Sequence, residues 1–335
     1  MLPNSETVMK KKPVSWTWRV ISIVIASAII IFMLSLIRWQ DFVDVLSRLS
    51  WQSMALAFVV YVLLNLWRSF RFVALLNRED VSAWGVFPIA LYHNFLVRLL
   101  PFKLGEFAYI VLMRNRMAVP VEEGVSSLFG SRLLELLMIV LVGAVSLLLS
   151  GEIVPNQGGV ALILVVFCVV SGIVGFYFIG SIIRFTTHIL NKFSHIKIIQ
   201  TFIERLEKLA IEFDRIRNPS IFAKALFWSC FTYGSSFAVN WILLVAVGIN
   251  VDPITVIILV SLGMFAAAFP FSISGFGAVE LSWTLGLTTL VGLSSSEATS
   301  IGLMLNGFHL IAAAISGIIG YAVIQMTKNE KATNK

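Results

Sequence analysis

Long apolar runs separated by short polar segments extend over almost the whole chain. A transmembrane helix needs about 20 apolar residues, so a run of this length can cross a bilayer. Six runs qualify, at residues 17–37, 51–76, 124–149, 158–181, 221–247 and 297–325. The pattern predicts an all-α integral membrane protein with six full spans.

Two further apolar regions, 86–114 and 254–290, are interrupted near their middles. The interruptions contain Pro101 and Gly105 in the first region, and Pro270, Gly275 and Gly277 in the second. Proline and glycine stop a helix, and each remaining half is too short to span. Each region is therefore predicted to form a re-entrant helical hairpin that turns inside the membrane.

The basic residues indicate the orientation, because Lys and Arg in short loops stay on the cytoplasmic side. With a cytoplasmic N-terminus and two re-entrant hairpins, 20 of the 25 Lys and Arg residues lie in cytoplasmic segments, Arg68 and Arg71 among them. The outside loops then hold only Arg38 and Arg48. This sorting predicts that both termini are cytoplasmic.

The cytoplasmic segment 184–217 has apolar residues at helical spacing with basic residues between them. It is predicted to be an amphipathic linker helix. Two placements are open: its apolar face lies on the inner membrane surface, or it packs on the underside of the protein itself.

The order of segments repeats within a single transmembrane domain, 1–335. The unit 51–149 and the unit 221–325 each contain a span, a broken region and a span, but the charge pattern inserts them in opposite senses. A shift of 174 residues relates Glu106 to Glu280, Arg132 to Asn306 and Glu135 to His309. Inverted repeats of this kind are typical of transporters.

Composition supports a membrane location and limits the chemistry. Of the residues, 58% are hydrophobic and 13% are charged, about half the charge of a soluble domain. The net charge of +7 favours acidic lipid headgroups as partners and not nucleic acid. Cys168 and Cys230 stand in apolar runs without disulfide or metal spacing, and no nucleotide-binding loop occurs, so no cofactor is predicted.

Arg132 lies deep within its predicted span, where an unpaired charge costs at least about 2.5–3.5 kcal/mol. Glu135, one helical turn further on, is the nearest candidate partner. One interpretation is a purely structural ion pair. The other is a hydrated substrate site, which is favoured by Glu106, Glu280 and the polar residues at similar depth.

The outgoing half of each hairpin begins near the midplane, so that its N-terminal N–H groups attract anions there. Arg98 and Lys103 flank the first turn, and a lipid phosphate is expected between them and Arg132. Glu106 and Glu280 either cap the half-helices or shape the site. The predicted substrate-binding residues are Arg98, Lys103, Gly105, Glu106, Arg132, Glu135, Gly275, Gly277, Glu280, Asn306 and His309.

Three ordered motifs are specific enough to compare with known families. They are LLPFKLGEFAYIVLMRNR at 99–116, SRLLEL at 131–136 and FPFSISGFGAVEL at 269–281. Together they resemble the flippase-like transmembrane domain shared with bacterial lysylphosphatidylglycerol synthases, over nearly the whole chain. The resemblance implies movement of an aminoacylated or glycosylated phospholipid, or of a polyprenyl lipid, between leaflets. Tyr109 stands where many relatives have a basic residue, a departure that bears on headgroup preference. The aminoacyl-transferring cytoplasmic domain of the synthases is missing, so lipid synthesis is not expected.

The expected function is therefore transport of a lipid headgroup across the bacterial cytoplasmic membrane, with membrane lipids as partners and a homo-oligomer permitted. Two alternatives stay open. The chain is a membrane-embedded enzyme acting on lipid if Glu106 and His309 converge as acid and base, or it is a structural subunit that does not transport.

Overall fold

The computed structural model of the chain describes residues 38–100, 104–149, 158–193, 197–268 and 277–333. Within these ranges the chain forms helices joined by short turns, and no strand occurs. The helices are α1 (Trp39–Ser47), α2 (Trp51–Leu76), α3 (Ala83–Leu99), α4 (Gly105–Met117), α5 (Val121–Leu149), α6 (Gly158–Leu190), α7 (Lys197–Ile216), α8 (Pro219–Ala246), α9 (Pro253–Ala268), α10 (Ala278–Gly286) and α11 (Ser295–Thr333). The predicted span 17–37 and the turn residues Pro101, Lys103, Pro270 and Gly275 lie outside the described residues.

Four helices in the described part of the chain are long and apolar enough to cross a membrane. They are Trp51–Leu76, Val121–Ser146, Pro219–Ala246 and Ser295–Thr327. They coincide with four of the predicted spans, and the predicted span 158–181 lies within α6. The prediction of an all-helical membrane protein is thus confirmed.

The first broken region forms two antiparallel helices, α3 and α4. The ring centroids of His93 and Tyr109 are 5.6 Å apart. Nearer the open end, a Cβ added at Gly85 would lie 2.9 Å from the terminal methyl of Met117. His93 in α3 lies beside Tyr109 in α4, and the earlier residue Gly85 lies beside the later residue Met117. The two helices are therefore antiparallel, as the interruption predicts.

The second broken region repeats this geometry with α9 and α10. A Cβ at Gly263 would lie 3.2 Å from Nε1 of Trp283, and one at Gly286 would lie 2.5 Å from Leu259. After α10 the chain makes a π-helical turn at Leu287–Val291. The predicted helix break between 254 and 290 is therefore present, and its two halves pack side by side.

Helices of the two halves of the chain, α2–α5 and α8–α11, pack against one another. Helix α2 lies against α8, α3 lies against α11, and α5 lies against α9. The largest apolar core joins α2 and α8 to the helices of the C-terminal half. This arrangement brings both hairpins to one cavity.

Helix α7 corresponds to the predicted amphipathic linker. It packs on α5 and α6, and its Ile203, Ala210 and Phe213 are buried against the protein. The ring of Phe213 lies 5.2 Å from that of Phe129 in α5. One apolar face of α7 therefore rests on the underside of the helical bundle, the second of the two predicted placements.

Candidate functional site

A cavity of about 710 Å³ lies between helices α2–α5 of the first half and helices α8–α11 of the second half. Both hairpins contribute to its wall, through Val97 and Glu106 in the first and Met264 and Val279 in the second. Its polar and charged lining consists of Tyr61, Arg68, Arg71, His93, Asn94, Arg98, Glu106, Arg132, Glu135, Tyr233, Ser236, Asn240, Asn306 and His309. The predicted residues Arg98, Glu106, Arg132, Glu135, Asn306 and His309 are thus brought together.

Arg132 is the centre of a buried ion-pair network. Its guanidinium donates to Glu135, the partner predicted from sequence, and lies 2.5 Å from Oε1 of Glu106. The other oxygen of Glu135 accepts from Arg71 at 2.7 Å. Helices α2, α4 and α5 are therefore joined at this point by alternating charges.

Arg68 and Arg71 are not cytoplasmic loop residues, which corrects the count from charge sorting. Both lie in α2 and line the cavity, and the side chain of Arg71 is 0% exposed. Arg68 donates to Oδ1 of Asn94 in α3 at 2.8 Å. A sequence signal exists for this arrangement, because Asn65, Arg68 and Arg71 recur every third residue and so share one helix face.

Glu280 has the capping role that the sequence allowed. One carboxylate oxygen accepts the backbone N–H of Gly277 at 2.6 Å, and the other accepts the side-chain amide of Asn306 at 2.5 Å. The residue is fully buried. Gly277 has a φ of +114°, which a residue with a side chain rarely adopts. Glu280 and Gly277 therefore fix the start of α10.

Glu106 occupies the matching position in the first hairpin but makes different contacts. Besides Arg132, it faces Nε2 of His93 at 3.5 Å. Nδ1 of His93 lies 3.2 Å from the carbonyl oxygen of Gly105. A carbonyl only accepts, so a hydrogen bond to Gly105 needs a proton on Nδ1, and Nε2 makes no hydrogen bond to the described residues. His93 thus holds the start of α4 in place, as a partnered polar residue.

His309 lies on the opposite wall from this network. Its Nε2 is 3.2 Å from Oδ1 of Asn240, and its ring centroid is 5.7 Å from that of Tyr61. Among the described contacts none joins His309 to Glu106. Both side chains nevertheless line the same cavity, so the enzyme alternative stays a prediction.

The apolar spans and the charged cavity between them define a polytopic helical membrane protein with a buried polar site. The chain matches the family described as the lysylphosphatidylglycerol synthase TM region over residues 19–317, and it belongs to that family. The match confirms the resemblance carried by the three sequence motifs. Comparison with curated proteins and with solved structures gave no significant match.

Proposed function

We propose that the protein moves the headgroup of a phospholipid or polyprenyl-linked lipid between the leaflets of the bacterial cytoplasmic membrane. The observation that carries this proposal is a cavity lined by four arginines, three of which lie in helices long and apolar enough to cross a membrane. These are Arg68, Arg71, Arg98 and Arg132. Charges within a membrane are costly and mark substrate pathways, so four arginines in one cavity favour a polar ligand there.

The apolar rim of the cavity supports a lipid as this ligand. Phe107, Phe129 and Leu136 line the cavity and are 62%, 41% and 41% exposed. They belong to α4 and α5, so the cavity has an apolar edge between these two helices. A headgroup inside the cavity would leave its acyl chains on that edge, in the surrounding lipid.

The helix contacts support the inverted repeat. Exchanging α2–α5 with α8–α11, in order, converts the α3–α11 contact into the α9–α5 contact and leaves the α2–α8 contact unchanged. The hairpins likewise each contact the span that follows them. We propose six full spans and two re-entrant hairpins, with both termini cytoplasmic and the cavity at the repeat interface, where transporters of this architecture bind their substrates.

Reconstitution into liposomes tests transport directly. Liposomes containing lipids labelled on an acyl chain would be assayed for leaflet exposure by chemical quenching of the label, with and without a pH gradient. The protein should increase exchange over empty liposomes. Arg98→Gln should reduce the rate, whereas Arg114→Gln, at an exposed arginine on α4, should leave it unchanged.

The alternatives give different results in the same experiment. A membrane-embedded enzyme would change the mass of the lipid, and mass spectrometry of the recovered lipids would detect the product. A structural subunit would give exchange no faster than empty liposomes. Either result would reject the proposal.

A further inference from the structure

The cavity holds more positive than negative charge. Its described lining has the four arginines named above but only two carboxylates, Glu106 and Glu135. His93 and His309 add no negative charge in either protonation state. An excess of fixed positive charge at a low-dielectric site attracts an anion.

Both carboxylates of the lining are already engaged. Glu135 is bound by Arg71 through one oxygen and by Arg132 through the other. Glu106 is bound by Arg132 through Oε1, and its buried Oε2, which faces His93 at 3.5 Å, makes no hydrogen bond to the described residues. In the described lining each carboxylate is thus paired with arginine, and an ammonium group brought to Oε2 of Glu106 would lie beside the guanidinium of Arg132 and be repelled by it.

Several guanidinium donors, by contrast, lack an acceptor. Nε of Arg68, Nε and Nη1 of Arg71 and Nε of Arg98 are buried and make no hydrogen bond to the described residues. A buried charged donor without a partner is costly. Phosphate oxygens are the acceptors that arginine side chains bind with the best geometry.

We infer that the headgroup taken into this cavity is a phosphodiester of net negative charge without an amine. Phosphatidylglycerol-type lipids are then moved in preference to their lysylated forms. The inference rests on the proposed function, since transport is what brings a headgroup to this site. The headgroup inferred for this protein therefore differs from the lysylated lipid after which its family is named.

A transport measurement compares the two headgroups on one scaffold. Liposomes of uncharged lipid would carry traces of acyl-labelled phosphatidylglycerol or acyl-labelled lysylphosphatidylglycerol. Exchange of phosphatidylglycerol should be faster by about tenfold or more, because the excess guanidinium charge of the cavity repels the added ammonium charge of the lysylated lipid. Arg98→Gln should reduce this difference, and Arg114→Gln should preserve it. Equal exchange, or faster exchange of the lysylated lipid, would overturn the headgroup assignment and leave transport intact.

A binding measurement decides the question even if neither lipid exchanges, a result that would reject transport itself. A ligand that binds the folded state raises the midpoint of thermal unfolding. Short-chain phosphatidylglycerol should raise this midpoint of the detergent-solubilised protein more than its lysylated form does. Equal shifts would overturn the assignment. Stabilisation by inorganic phosphate alone, equal to that by the lipid, would identify a free anion as the ligand and would also overturn it.

Discussion

The side-chain amide of Asn306 donates to the carboxylate of Glu280 at 2.5 Å, across 26 residues of chain. In the first half, Arg132 lies 2.5 Å from Glu106, which is the same distance along the chain. Two of the three positions related by the 174-residue shift therefore make the same contact in both halves. The first half uses a charged partner, and the second a neutral one.

Glu280 and Asn306 can exchange their groups, which gives a test of this pair. Glu280→Gln alone should destabilise the protein by about 1–3 kcal/mol, because the amide nitrogen that it introduces would face a donor. Asn306→Asp alone should do the same by opposing two carboxylates. The double variant restores donor and acceptor in reversed order, so most of the stability should return. Chemical denaturation of the four proteins measures the coupling.

If the two residues are not coupled, the losses in stability of the two single variants should add in the double variant. If the double variant lost the sum of the two single losses, Glu280 and Asn306 would not act as partners, and the cap at Gly277 alone would account for the buried carboxylate.

Arg132 pairs with the carboxylates of Glu106 and Glu135, and of these two only Glu135 is bound by a second arginine. Arg132→Gln leaves Glu135 bound to Arg71 but leaves Glu106 without an arginine. The expected loss is about 3 kcal/mol, the lower end for a broken buried pair, because 37% of the Arg132 side chain is exposed. Adding Glu106→Gln should recover more stability than adding Glu135→Gln, which also strands Arg71.

Thermal unfolding of the single variant and of both double variants distinguishes the partners. Greater recovery with Glu135→Gln would show that Glu135, the nearest partner predicted from sequence, contributes more to the free energy of unfolding than Glu106 does.

Gly105 marks the closest approach within the first hairpin. A Cβ added there would overlap the backbone of Leu96 and Val97 in α3, which cannot move aside as a flexible side chain can. Gly105→Ala should therefore cost about 1–3 kcal/mol or more. Gly234→Ala is the matched control, because nothing lies within 4 Å of a Cβ there. Equal midpoints of thermal unfolding for the two variants would contradict the tight packing of α3 on α4.

Asp252 caps α9 from the residue before its start, and the pKa of this carboxyl makes the stability of the protein depend on pH. Its carboxylate accepts the N–H groups of Ile254 and Thr255 at 2.9 and 3.0 Å. Hydrogen bonds from the Thr255 side chain and from this backbone hold the pKa of Asp252 below its usual value. The stabilisation is thus present above the unfolded pKa, about 3.9, and is lost as the pH falls below it.

Asp252→Asn keeps an oxygen for the cap but cannot titrate. Between pH 6 and pH 3 the unmodified protein should lose more thermal stability than this variant. Parallel losses would exclude Asp252 as a contributor.

The topology predicts which segments are reached from each side of the membrane. In a variant lacking Cys168 and Cys230, single cysteines placed in 114–122 and 184–217 should react with an impermeant reagent only from the cytoplasm. Single cysteines in 248–253 should react only from outside. Labelling of 248–253 from the cytoplasm would exclude the proposed insertion of the second half.

Local features of this protein could be predicted from sequence, because neighbouring residues determine them. Helix α2 has the bounds of its apolar run, since Ser50 caps its start by accepting from Ser53 and Asn77 ends it in a left-handed conformation. The contact between Arg132 and Glu135 follows from their spacing of one helical turn. The cap formed by Glu280 follows from its place in the first turn.

Contacts that depend on tertiary packing could not be predicted in this way. The bond between His309 and Asn240 joins α11 to α8 across 69 residues, and the bond between Glu135 and Arg71 joins α5 to α2 across 64 residues, so local spacing indicates neither contact. Charge sorting places Arg68 and Arg71 in cytoplasmic segments, but it does not show the side to which a helix face turns. Only the packing of α2 on α3 and α5 places them in the cavity.

The pairing of Arg71 with Glu135 has a consequence for biogenesis. The two residues are 64 positions apart, and the arginine is synthesised first. At about 5–20 residues per second, the ribosome adds Glu135 several seconds after Arg71. During that interval α2 carries a guanidinium without its partner, and the long side chain can reach the headgroup region only by bending toward the nearer interface. Full burial of the Arg71 side chain therefore has to await the emergence of α5, which brings the carboxylate of Glu135.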